Sequence, residues 1–164
     1  MAWLLDRLSH HVARLTNVVV AIMATVMMAA LILQVFSRYV LGASLVWSEE
    51  LALMLFTWST LLAATTALRA GAHVRLDLFL SLLSPRLRRA WQALIMLAIL
   101  GFCLVLLRSG IDYTDATLGQ VSAAMRVPIE VLHLAAPVCG ALGCLHALAL
   151  LFNPPAPTEA EKIG

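Results

Sequence analysis

Four long uncharged runs limit what this chain can fold into: Leu15 to Ser37, Leu51 to Leu68, Ala90 to Leu107 and Val131 to Pro157. Each holds at least 18 residues before Asp, Glu, Lys or Arg interrupts. Eighteen residues make about 27 Å of helix, close to a hydrocarbon core of roughly 30 Å. Backbone polar groups in lipid must be satisfied within the segment, so each run is predicted to be a helix. The expectation is an all-α integral membrane protein with four transmembrane helices at about 15–37, 49–68, 88–108 and 129–152. These form one membrane domain, 1–152, followed by a flexible polar tail, 153–164, rich in Pro.

The composition agrees: 62% hydrophobic against 12% charged, with a mean hydropathy of +0.94, is far from a soluble domain's balance. Eight of the 11 Lys and Arg fall before the first run, between the second and third, or after the fourth. Arg38, Arg108 and Arg126 fall on the other side. By the positive-inside rule, both termini and the middle loop are expected in the cytoplasm. The first run exceeds the usual apolar core of a signal peptide, about 7 to 15 residues, so it is read as an uncleaved span. Cys103, Cys139 and Cys144 lie within runs, where thiols pack as small apolar groups and imply no disulfide framework.

Two stretches outside the runs are amphipathic. In "WLLDRLSHHVARL" the residues Leu4, Leu5, Leu8, Val12 and Leu15 share a helical face, predicting an interfacial helix that feeds the first span. In the middle loop Leu76, Phe79, Leu80 and Leu83 do the same. Ser84 followed by Pro85 suits the start of the third helix, and Pro128 suits the start of the last. No internal repeat is visible, so the inverted-repeat carrier plan finds no support.

No charged residue lies inside any run, whereas a proton relay or a charged-solute path normally needs one. The polar groups that do lie there, among them Gln34, Thr57, Ser59, Thr65, Thr66, His133 and His146, are read mainly as interhelical hydrogen-bond partners or caps. Small residues at i, i+4 spacing, Ala21/Thr25/Ala29, Ser59/Ala63/Ala67 and Ala136/Gly140/Cys144, suit close helix approach. His133 and His146 are about 20 Å apart along one helix and could not share an iron. The spacing of Cys139, Cys144 and His146 fits no zinc pattern. No nucleotide-binding, zinc-protease or serine-hydrolase motif is present. No enzyme activity, cofactor, metal or nucleic-acid partner is expected.

The segment "VWSEELALMLFTW" opens the second helix with Trp47, Ser48, Glu49 and Glu50. A carboxylate at mid-membrane costs about 2.5 to 3.5 kcal/mol, so the pair belongs at a boundary. There Ser48 would cap the helix, the glutamates would meet its positive end and Trp47 would anchor at headgroup level. The far end of the same helix, "LRAGAHVRLD", is dense in Arg69, His73, Arg75 and Asp77.

Together these segments resemble the small membrane subunit of tripartite ATP-independent periplasmic (TRAP) transporters. The likeness runs through "RYVLGASLVWSEELALMLFTWSTLLAATTALRAGAHVRLD" and resumes at "AMRVPIEVLHLAAPVCGAL". It carries Arg38, Trp47, Glu49, Glu50, Trp58, the Arg69, His73, Asp77 spacing, and the prolines Pro128 and Pro137. His133 stands where an aromatic residue is more usual. The resemblance implies a non-catalytic subunit of the bacterial inner membrane, bound one to one to a large multi-spanning permease. That permease carries the substrate and sodium sites, moves elevator-fashion, and is supplied with an organic acid by a periplasmic binding protein. Arg38, Trp47, Glu49, Glu50, Trp58, Arg69, His73, Arg75, Asp77, Pro128 and Pro137 would then be the interface to the partner or to membrane lipids. The alternatives are a four-helix, cytochrome b-like redox subunit and a small homo-oligomeric exporter.

Overall fold

The computed structural model describes residues 2–70 and 85–152. Helix α1 runs Ala2–Val40, α2 Val46–Arg69, α3 Pro85–Ala116, α4 Glu130–His133 and α5 Ala135–Phe152. Four helical stretches, Trp3–Val40, Val46–Arg69, Ala90–Ala116 and Glu130–Phe152, are long and apolar enough to cross a membrane. The all-α membrane architecture is therefore the one the hydropathy pattern predicts. The middle-loop amphipathic stretch, Ser84, His73, Arg75, Asp77 and the tail lie outside the described residues.

Neither Gly nor Pro occurs from Ala2 to Val40, so nothing forces a break. The N-terminal amphipathic stretch and the first span are accordingly one helix, whose 39 residues measure about 58 Å. The chain then reverses tightly. Gly42 takes φ +66°, a left-handed conformation free of cost only for glycine. Ser37 organises the turn: its carbonyl accepts from the N–H of Leu41 and Ala43 at 3.1 and 3.2 Å, and its hydroxyl donates to Ala43 O at 2.7 Å.

That turn delivers the chain into helical geometry early, which corrects the expected role of Ser48. Helix α2 begins at Val46, with Leu45 at the N-cap making no side-chain cap bond. Ser48 is thus the third helical residue, fully buried, and its hydroxyl donates to Leu45 O at 2.6 Å. Pro85 opens α3 as its fixed φ and missing N–H favour. Pro128 does not open a helix: it pairs with Val121 in an isolated antiparallel bridge, and α4 starts at Glu130.

Helix α5 is the centre of the bundle, with half of its span buried within the chain. It packs against α1, α2 and α3, while α1 also packs along α2. Glycines set the α3–α5 spacing. A Cβ at Gly140 would fall 2.6 Å from Leu107 N, and one at Gly110 would fall 2.7 Å from the ring of Pro137. Leu68 of α2 and Ala147 and Leu150 of α5 make a small buried cluster with Met96, Ile99 and Leu100 of α3 against it.

Candidate functional site

Polar chemistry in the described residues gathers at the two ends of the bundle. At the end where α2 begins, Glu50 reaches the segment joining α3 to α4. One of its oxygens, Oε2, accepts the backbone N–H of both Ala124 and Met125, each at 2.9 Å. Charge-assisted bonds of this kind are roughly twice as strong as neutral ones.

The segment Glu50 holds is a short hairpin. Ser122 N–H donates to Val127 O at 2.9 Å and Ile129 N–H to Gln120 O at 3.0 Å, while Val127 N–H donates to Ser122 Oγ at 3.1 Å. Its tip places Arg126 at φ +55°, a conformation uncommon for a residue with a Cβ. Beside it, Gln34 of α1 donates to Glu49 at 2.5 Å, and Gly119 N–H donates to Glu130 at 2.7 Å.

The junction of α4 and α5 is also satisfied from outside. Val131 O of α4 accepts the Trp58 indole N–H at 2.9 Å. His133 Nδ1 lies 2.7 Å from Thr117 Oγ1, and the ring stands 4.4 Å from that of Tyr113. Thr117 Oγ1 also lies 3.1 Å from the carbonyls of both Tyr113 and Thr114.

At the opposite end, three helices are clasped. Arg69, in the last turn of α2, forms an ion pair with Asp6 of α1. One turn further along α1, the fully buried Ser9 bonds the fully buried His146 of α5, Oγ to Nδ1 at 2.8 Å. His146 Nε2 has no hydrogen-bond partner among the described residues. His133 and His146 therefore serve opposite ends of the molecule.

Of the residues singled out in the sequence, the structure joins Glu49, Glu50, Trp58 and Arg69 to partners in the same chain. Pro137 is buried at the α3 contact, whereas Arg38, Trp47 and Pro128 are exposed. Sequence reasoning missed Asp6, Ser9 and the hairpin N–H groups. Asp6 was legible as the only acid before the first run, but a backbone N–H leaves no mark in a sequence. The interhelical reading holds for Gln34 and His146, but Thr57, Thr65 and Thr66 bond back within α2, to Leu53, Leu62 and Ala63. Ala21, Thr25 and Ala29 are exposed on the side of α1 turned from the bundle. Ile22, Ile32 and Phe36 of α1, with Leu97 and Phe102 of α3, are more than half exposed.

Apolar helix flanks without charge, joined by polar clasps at their ends, define a multi-pass membrane protein held together from its two boundaries. The chain belongs to the DctQ component family of tripartite ATP-independent periplasmic transporters, whose family model matches residues 27–154. It is 30% identical over 125 residues to the C4-dicarboxylate TRAP transporter small permease protein DctQ of Rhodobacter capsulatus, a match covering 68% of this chain and 50% of that protein. Over 88 residues it is 32% identical to the sialic acid TRAP transporter permease protein SiaT of Haemophilus influenzae (strain 86-028NP), covering 53% of this chain and 14% of that protein. The chain thus spans half the length of the first relative and a small part of the second.

Proposed function

We propose that this TRAP small permease component acts as a static scaffold for a large multi-spanning permease subunit, bound one to one in a bacterial inner membrane. The large subunit carries out sodium-coupled uptake of an organic acid that a periplasmic binding protein delivers. Both termini of the small subunit and its middle loop face the cytoplasm, as the placement of its basic residues favours. The C4-dicarboxylate and sialic acid in the names of its relatives both fall within the organic-acid class.

One observation carries the scaffold role. No charged side chain lies within the apolar runs, while α1 turns a continuous apolar face with the Ala21, Thr25, Ala29 seam away from its own bundle. A subunit of this kind offers packing surface and no path for a charged solute. Within the proposed interface, Glu49 and Trp47 are exposed and available to the partner, whereas Glu50 supports it by fixing the hairpin. The test is a mild-detergent pull-down of the tagged chain from its native membrane with mass spectrometry of what is recovered. Recovery of a large permease at about one to one is expected. A homo-oligomer, or a coloured protein without a permease, would overturn the reading.

A further inference from the structure

Between Trp3 and Arg14, one face of α1 is fastened to the bundle: Asp6 by Arg69, Ser9 by His146, and Ala13 by burial. Asp6 is the only acid in this stretch, and its charge is paired with Arg69. Elsewhere on the same turns Arg7, His10, His11 and Arg14 are all exposed, with no acid among them. The Arg7 guanidinium lies over the Trp3 ring, 4.1 Å from its centroid. At about 100° per residue, Leu4, Leu8 and Leu15 form one strip of the helix surface and Arg7, His11 and Arg14 the strip beside it. Leu4, Leu8 and Leu15 are all more than half exposed.

The clasp sets the depth of this surface. Arg69 ends α2, whose 24 residues measure about 36 Å, the hydrocarbon core plus part of the headgroup layers. Between their two shared contacts, Gln34 with Glu49 and Asp6 with Arg69, α1 uses about 42 Å of helix where α2 uses about 30 Å. The segment around Asp6 therefore stands beside headgroups.

From this juxtaposition we infer that the N-terminal turns of α1 form a docking surface for anionic phospholipid headgroups, with Arg7 and Arg14 meeting the phosphates and Leu4 and Leu8 lying along the acyl boundary. Charge decides the occupant: two arginines and an aromatic ring beside an apolar strip complement an anionic lipid surface. The ion pair with Arg69 neutralises Asp6, the one acid that would repel it. These residues precede the region matched by the family model, which begins at residue 27. The inference requires only that α1 enters the membrane near Leu15, and it stands whether or not a permease is bound.

The test places the full chain in nanodiscs containing equal phosphatidylglycerol and phosphatidylethanolamine and reads the lipids retained on ejection by native mass spectrometry. Wild type is expected to retain phosphatidylglycerol preferentially, and less so as salt is raised. Arg7→Gln with Arg14→Gln should lower the preference roughly 30-fold, about 5-fold per arginine, with unchanged thermal unfolding. Arg7→Lys with Arg14→Lys should keep it. Absence of the preference in wild type, indifference to salt, or an unchanged preference in the Gln variant overturns the inference. So does a Lys variant as deficient as the Gln variant. Displacement of the lipid by millimolar inorganic phosphate would assign the surface to a soluble anion instead, and its loss when the permease is bound would assign it to a protein partner.

Discussion

Replacing Gly140 by Ala puts the α3–α5 contact to a direct test. The added Cβ would lie 2.6 Å from Leu107 N, 2.8 Å from Leu107 Cα and 2.9 Å from Cys103 O. All three are backbone atoms of α3, so no rotamer change relieves the clash. The helices must separate by about 0.8 Å, the gap from 2.6 Å to the 3.4 Å of ordinary contact. Overpacking of this kind costs about 1–3 kcal/mol, against which Ala gains roughly 1 kcal/mol over Gly in a helix interior. Gly101, on the exposed side of α3, has nothing within 4 Å of its would-be Cβ, so Gly101→Ala shows the propensity gain alone. Gly140→Ala should therefore be less stable than Gly101→Ala by about 1–3 kcal/mol. Both are measured on the full chain in detergent micelles, unfolded by SDS titration and followed by far-UV circular dichroism. Equal stability of the two variants, or a more stable Gly140→Ala, would refute the close backbone approach on which the α3–α5 pairing rests.

Three further outcomes are expected. Glu50→Ala leaves the Ala124 and Met125 N–H groups without their acceptor, and trypsin should cut faster after Arg126 as the hairpin loosens; Glu50→Gln should fall between it and wild type. Ser9→Ala strips His146 of its one partner and should destabilise the chain by about 1 kcal/mol, whereas Asp6→Asn, at a half-exposed ion pair, should cost no more than about 1 kcal/mol; equal and larger losses at both would show that the clasp acts as a single buried network. Trp58→Phe removes the indole bond to Val131 O together with the packing of one ring and should cost at least about 0.6 kcal/mol, read in the same SDS titration; no change would mean that the α4–α5 junction satisfies itself.

The spans were legible because hydropathy over some 20 residues is a one-dimensional signal. The turn after α1 was harder. Gly42 and Ser37 start α2 two residues before Ser48, and that depends on φ and on which carbonyl each N–H finds. Glu49 and Glu50 illustrate the limit for the site. Adjacent in sequence and alike in chemistry, they diverge by about 100° around the helix. One therefore meets Gln34 of α1 and the other the hairpin beyond α3.

The sequence by itself determined that this is a four-helix membrane protein. Its uncharged runs are long enough to cross hydrocarbon, and a lipid environment leaves helices as the way to satisfy their backbones. The order of Trp47, Glu49, Glu50, Trp58, Arg69 and the two prolines also marked the family. Only the tertiary structure decided which side chains bind one another. It made α5 the shared core, tied Asp6 to Arg69 across 63 residues and Ser9 to His146 across 137, and thereby left one face of α1 basic and one apolar. Hydropathy reports a residue's preference for lipid or water, averaged over its neighbours in the chain. Contacts between distant helices depend on their relative rotation and depth, which packing alone sets.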